Sequence, residues 1–288
     1  MQKLLVKLFY LITILTLFAL VALFSFVLYR GFQALSLNLI FGSADPIKAL
    51  LGQARVFDGI YNAIVGSLFV VCLSIMIALP FGLLSGIYLS SFASKKVKSA
   101  LGFLYEILAS TPSIVIGLFG LSVTIFLHKY YFHHLLPSLI ISALSLSILV
   151  MPYLVKMTEV SLDSIPKKIK NIGRSLGATP MQNLFLIELP YATKEIFGAI
   201  ILAMGRAIED TAVIMMTGAV AMAGIPTSVL QKYEALPFFI YHISSEYTDK
   251  SELNQGFGAA LILLFTSLAL FVLASIFRKL INKKGIIR

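Results

Sequence analysis

Residues 60–89 read IYNAIVGSLFVVCLSIMIALPFGLLSGIYL, with no Asp, Glu, Lys or Arg among them. A helix of that length rises about 45 Å at ~1.5 Å per residue, more than the roughly 30 Å of a bilayer's hydrocarbon layer. Working outward, the same reading gives apolar stretches at Leu8–Tyr29, Leu101–Leu127, Leu135–Val155, Ile196–Val220 and Phe257–Phe277. The whole 288-residue chain is 59% hydrophobic and 12% charged, against roughly 45–50% and about 25% in a soluble domain. That composition excludes a soluble globular fold and predicts an all-α polytopic membrane protein with six transmembrane helices. Two lysines precede the first span as in a signal peptide, but its apolar run is too long and no small-residue cleavage site follows, so it reads as a retained helix.

The charges then orient the spans. Lys3 and Lys7, Lys95, Lys96 and Lys98, the fourth-loop residues Lys156, Lys167, Lys168, Lys170, Arg174 and Lys194, and the tail residues Arg278, Lys279, Lys283, Lys284 and Arg288 make sixteen basic residues on one side. Six face the other way: Arg30, Lys48, Arg55, Lys129, Lys232 and Lys250. The positive-inside bias predicts a multi-pass protein of the cytoplasmic (inner) membrane with both termini in the cytoplasm. The net charge of +10 is therefore topological, and no nucleic-acid role follows from it. Cys72 is the only cysteine, which excludes a disulfide framework. The organisation reads as an N-terminal helix with its outer loop (1–59), a core of five spans (60–277) carrying a cytoplasmic loop (156–194), and a basic tail (278–288).

That loop is longer than a helix connection needs and reads as two short helices. Ser164-Ile165-Pro166 starts one and Gly177 ends it. Thr179-Pro180-Met181-Gln182 forms an N-cap, a first-turn proline and a glutamine in capping-box register, launching a helix whose Met181, Leu184 and Phe185 make an apolar stripe before Pro190 stops it. Two readings fit, a helix lying in the lipid headgroups or one docking into a groove on another protein.

Arg206, Glu209 and Asp210 fall near the middle of the fifth span, with spacings of three and four that put both acids on the arginine's face of a continuous helix. At about 2.5–3.5 kcal/mol per mid-bilayer charge, three would cost roughly 8–10 kcal/mol unpaired in lipid, so they must face protein or a polar path. Either they line a route on which Arg206 offers its donors to an oxyanion, or they form an ion cluster fastening helices together. Pro80, Pro112 and Pro152 interrupt the second, third and fourth spans. Glu106 reads as an interfacial acid or part of a gate. His128, His133 and His134 read as solvated loop residues with no metal site.

The loop also carries a resemblance. Asn171-Ile172-Gly173-Arg174-Ser175-Leu176-Gly177, nine residues, then Ile187-Glu188-Leu189-Pro190 resembles the E-A-A, three residues, G, nine residues, I-x-L-P signature of permease subunits of ABC importers. The glycine and the I-x-L-P end match in register; the opening triplet departs. Ser110-Thr111-Pro112-Ser113-Ile114-Val115-Ile116-Gly117-Leu118-Phe119-Gly120 and Gly205-Arg206-Ala207-Ile208-Glu209-Asp210-Thr211-Ala212 are similar to segments of the phosphate branch, the PstA/PstC type. Ala235-Leu236-Pro237-Phe238-Phe239-Ile240-Tyr241 leans to its PstA members.

The resemblance implies the type I importer permease fold, and a translocation path drawing on Pro112, Ser113, Arg206, Glu209, Asp210 and Thr211. It implies that Gly177, Thr179, Pro180, Met181, Leu184, Phe185, Ile187 and Pro190 meet an ATP-binding subunit. In the family's R-A-x-G-E-T motif Glu209 replaces the glycine and Asp210 the glutamate. Implied partners are an ATP-binding subunit dimer, a second permease subunit (paralogue or copy), an external substrate-binding protein and the bilayer. No G-x-x-x-x-G-K-[S/T] loop occurs, so ATP and Mg are expected on the partner and no cofactor on this chain. Inorganic phosphate is the expected cargo; sulfate, molybdate or tungstate is the alternative, and an intramembrane hydrolase using Glu209 and Asp210 is the enzymatic rival. Adjacent residues point about 100° apart on a helix, which argues against two acids addressing one water.

Overall fold

The computed structural model describes residues 2–283, and residues 284–288, the end of the basic tail, lie outside the described residues. Among the described residues the chain is helical, with a single isolated bridge, Ala219 to Tyr233, in place of any strand. In order the helices are α1 (Gln2–Ala34), α2 (Leu37–Phe41), α3 (Pro46–Leu50), α4 (Tyr61–Ser91), α5 (Lys95–Ser110), α6 (Ser113–Tyr130), α7 (Leu139–Asp163), α8 (Lys167–Ser175) and α9 (Pro180–Asn183). A π-helical turn at Leu184–Glu188 follows, then α10 (Leu189–Glu209), α11 (Ala212–Thr217), α12 (Leu236–Glu246) and α13 (Lys250–Lys283).

Five of these, α1, α4, α6, α7 and α13, are long and apolar enough to cross a membrane. Four agree in place with expected spans. The expected third span, Leu101–Leu127, is two helices: Thr111 (ψ 128°) and Pro112 (ψ 138°) are extended between α5 and α6. Proline lacks the amide a continuing helix needs and pushes the residue before it out of the helical region. The expected fifth span, Ile196–Val220, is also interrupted, because the chain leaves the helix at Asp210 (ψ 121°) and re-enters at Ala212.

The chain divides into two compact units. In the first, residues 1–61 with 239–265, α1 exposes its apolar side chains along its length, as a lipid-facing helix does. Its Phe26 and Phe32 meet Phe257 and Phe265 edge-on, with ring centroids 5.6 and 6.4 Å apart. The segment after α1 folds on its own small core of Phe41, Ala49 and Val56, with Ser36 and Asp45 capping α2 and α3.

The second unit, residues 62–238 with 266–288, is built around α7, which buries Leu146, Val150, Leu154 and Leu162 and packs against α5, α6, α10 and α11. Its loop 218–235 is pinned to the start of α7 by backbone bonds from Ser138, Leu139 and Ile140 to Thr217, Gln231 and Val229. Within that loop the Glu234 carboxylate accepts from the Gly224 amide at 2.7 Å and from Asn62 Nδ2 at 3.3 Å. Burial pushes the Glu234 carboxyl above its usual range, and these two donors pull it part of the way back. A carboxyl raised in the folded state stabilises the fold below its ordinary pKa and loses that contribution as pH climbs through the raised value. Glu234→Gln keeps an acceptor and removes the charge, so at neutral pH its thermal midpoint should equal or exceed wild type, the gap closing as pH falls toward the ordinary carboxylate range. Glu234→Ala orphans the Gly224 amide and should cost about 1–3 kcal/mol.

Candidate translocation cleft and coupling loop

Between α10 and the later part of α13, an open cleft of about 430 Å³ is lined by Leu202, Gly205, Arg206, Glu209, Asp210 and Phe271. The Phe271 ring lies so close to Gly205 that a Cβ there would meet it at 2.6 Å, which lets α10 and α13 approach next to the charges. All three charged residues singled out in the sequence thus share one wall. Their relation differs from expectation, since Asp210 is not on the helical face of Arg206 but one step beyond the helix. Its Oδ1 accepts the Val213 amide at 2.8 Å and so caps α11. Aspartate is among the best helix caps and Asp-Thr competes for its own backbone, which is why the helix ends there. Arg206 and Glu209 are exposed to the cleft. Among the described residues the ion pairs lie at Lys98, Lys156 and His242, and none of them joins Arg206 to Glu209 or Asp210. Pro112 and Ser113 sit at the α5–α6 break and Thr211 at the α10–α11 break; none lines the cleft. Phe271 was invisible to local pattern reading because it comes from the last span.

The loop between α7 and α10 begins as read. Gly177 follows α8 with φ +81°, a left-handed turn that suits glycine. Thr179 and Gln182 form the reciprocal capping box, with Pro180 in the first turn. Pro190, however, does not stop the helix. The Leu189 amide bonds back to Leu184 O, one residue further than in an α-helix, and this widened turn admits the proline, so helical backbone continues into α10. The apolar stripe also changes. Leu184 is 2% exposed, in a core with Leu162, Ile165, Ala192 and Ile196, and Ile187 is partly buried. The outward apolar set is Met181 (55% exposed), Phe185 (58%) and Leu186 (73%), and Leu176 at the end of α8 is exposed as well.

Removing the cap at the break should matter even without any cargo. Asp210→Ala is expected to lower the stability of the purified protein by about 0.5–2 kcal/mol, with Asp210→Asn or Ser largely restoring it; equal thermal midpoints for all of these would show that the break holds without its cap.

Residues 78–285 match the family model described as binding-protein-dependent transport system inner membrane component. A phosphate transport system permease protein PstA of Haemophilus influenzae is 30% identical over 266 residues, 92% of this chain and 89% of its own. A probable phosphate transport system permease protein PstA of Methanocaldococcus jannaschii is 29% identical over 214 residues, 74% of each chain. A bacterial alginate ABC transporter, solved in complex with an alginate pentasaccharide-bound periplasmic protein, shares the fold with a TM-score of 0.65 at 14% identity, covering 96% of this chain and 95% of that one. With its helical core, the loop after α7 and the broken fifth span falling inside the matched range, the chain belongs to the family of binding-protein-dependent transport system inner membrane components.

Proposed function

We propose that this chain is a permease subunit that forms part of the path for inorganic phosphate in an ATP-driven importer. The observation that carries the reading is the similarity to phosphate permeases over most of both chains. Arg206 supports it chemically, because a guanidinium presents a fixed fork of donors to an oxyanion. Glu209 and Asp210 beside it keep the cleft from holding an anion tightly, which suits a site that must release its cargo. The chain itself does no bond chemistry in this reading. ATP and Mg bind separate subunits, since no phosphate-binding loop is present in this sequence. Those subunits grip the outward apolar patch of Met181, Phe185 and Leu186; a second permease completes the pore, and an external binding protein delivers the anion. Both termini lie in the cytoplasm, on the side where basic residues concentrate.

Uptake of labelled phosphate by the assembled transporter in vesicles tests the path. Arg206→Ala should lower it about 10- to 100-fold, the loss of one or two charge-assisted hydrogen bonds. Excess sulfate or molybdate should compete poorly; efficient competition would reassign the cargo. Met181→Asp with Phe185→Asp should abolish co-purification of the ATP-binding subunit while the chain still inserts. Retained association would overturn the docking role of this patch.

A further inference from the structure

A group of charges that no sequence motif pointed to joins α5 to the end of α7. Lys98 Nζ is 3.0 Å from Glu159 Oε1 and 2.7 Å from Asp163 Oδ2. Glu159 is buried and also meets Lys156 Nζ at 3.3 Å, while Ser90 Oγ of α4 donates to Asp163 Oδ1 at 2.6 Å. The hydrogen bond to Asp163 raises the Lys98 pKa against the opposing effect of burial, so the ammonium stays charged. Helix α5 buries no residue of its own. This pairing is therefore a polar link to α7 beside the half-buried Leu101 and Tyr105 of the same helix.

The position of the clasp gives it a use. Asp163 is the last residue of α7, where that helix gives way to the short helices of the loop, and Leu162 and Ile165 share one core with Leu184 ahead of α10 and Ala192 and Ile196 of α10. The end of α7, the loop and the start of α10 are thus packed into one body. Beside the direct packing of α7 on α6 and α11, two routes lead from that body to the cleft. One is α10 itself, which runs from the loop to Glu209, the near side of the Asp210 break. The other passes through Lys98 into α5, across the Thr111–Pro112 joint into α6, and from α6 into α11, since Gly117 lies against the backbone of Ala212 and Val213. Helix α11 is the far side of the same break.

We propose that Lys98 is a coupling residue: its bonds to Glu159 and Asp163 carry movement of the loop into α5 and α6, adding to what the direct packing of α7 on α6 and α11 transmits to the far side of the Asp210 break. This rests on the reading that the loop is gripped by an ATP-driven subunit. Contiguity of contacts is not coupling, so the test must measure coupling itself.

The experiment uses the assembled transporter in proteoliposomes and reads labelled inorganic phosphate imported per ATP hydrolysed. Lys98→Glu should leave assembly and basal ATP hydrolysis in place and lower that ratio about tenfold, within the range of coupling factors between linked sites. The swap Lys98→Glu with Asp163→Lys should restore it. If Lys98→Glu fails to assemble, Lys98→Gln is read in the same way. A second readout needs no cargo: in a Cys72→Ser background, ATP should change the labelling rate of Ile114→Cys just past the joint, and Lys98→Glu should remove that change. A normal import ratio together with an unchanged ATP response in assembled Lys98 variants overturns the proposal, as does a defect that the swap leaves uncorrected. Failure of the wild-type assembly to import phosphate counts against the cargo assignment alone, and failure of the ATP-binding subunit to associate with the wild type counts against the docking reading alone.

Discussion

Hydrocarbon offers no hydrogen bonds, and this constraint governs where the chain can leave a helix. Each unpaired backbone amide or carbonyl in a bilayer costs several kcal/mol, so a break survives only where neighbouring side chains take up the orphaned groups. Both breaks in this chain are equipped that way. At the end of α5, Ser110 Oγ donates to the carbonyls of Glu106 and Ile107 at 2.9 and 3.0 Å, and Thr111 Oγ1 to that of Ile107 at 2.9 Å. At the start of α11 the donor side is served, Asp210 taking the Val213 amide. The termini that would otherwise forbid a discontinuity are thus capped by residues adjacent to it in sequence.

The same accounting explains what the sequence made legible and what it concealed. Apolar length placed α1, α4, α7 and α13, because lipid contact imposes its composition on the membrane-crossing part, while the helices run past or short of the apolar stretch at their ends. Continuity was a different matter. Pro80, Pro112 and Pro152 look alike in a hydropathy reading, yet α4 and α7 continue through theirs while the third span parts at Pro112. The distinction lies in the neighbours: Leu79 and Met151 precede the tolerated prolines, whereas before Pro112 the Ser110 and Thr111 hydroxyls bond the Glu106 and Ile107 carbonyls and the Thr111 amide takes that of Leu108. Pro190 concealed itself in the opposite sense, since a π-helical turn that no local propensity announces makes room for it.

In the site, residue types were readable and faces were not. Charges in an apolar span stand out on cost alone, which located Arg206, Glu209 and Asp210. That they line a cleft with Phe271 depends on how α10 meets α13, and sequence spacing carries nothing about that. Likewise, a stripe of Met181, Leu184 and Phe185 assumes one apolar side. The helix has two, because Leu184 anchors the loop to the end of α7 while Met181, Phe185 and Leu186 remain outside. An element that must both hold to its own protein and present a surface needs apolar residues on opposite sides, and a periodicity argument assigns them all to one.

The departure of the loop from the E-A-A triplet follows from the same division of labour. Gly173, third in the triplet, is buried against Asn183 and Ile187; a Cβ there would meet Ile187 Cδ1 at 2.8 Å and the Asn183 side chain closer still. Asn183 is fully engaged as a donor, its Nδ2 reaching the Lys170 carbonyl at 3.0 Å and Glu188 Oε1 at 2.7 Å. A residue smaller than alanine is therefore what lets α8 close on the π-helical turn, and the amide bridges the two halves of the loop from within. Buried, donor-satisfied polar contacts of this kind give up their bonding if the halves separate, which resists bending more steeply than apolar contact alone. A loop braced in this way is tied to α10 through the continuous backbone and to the end of α7 through the shared core.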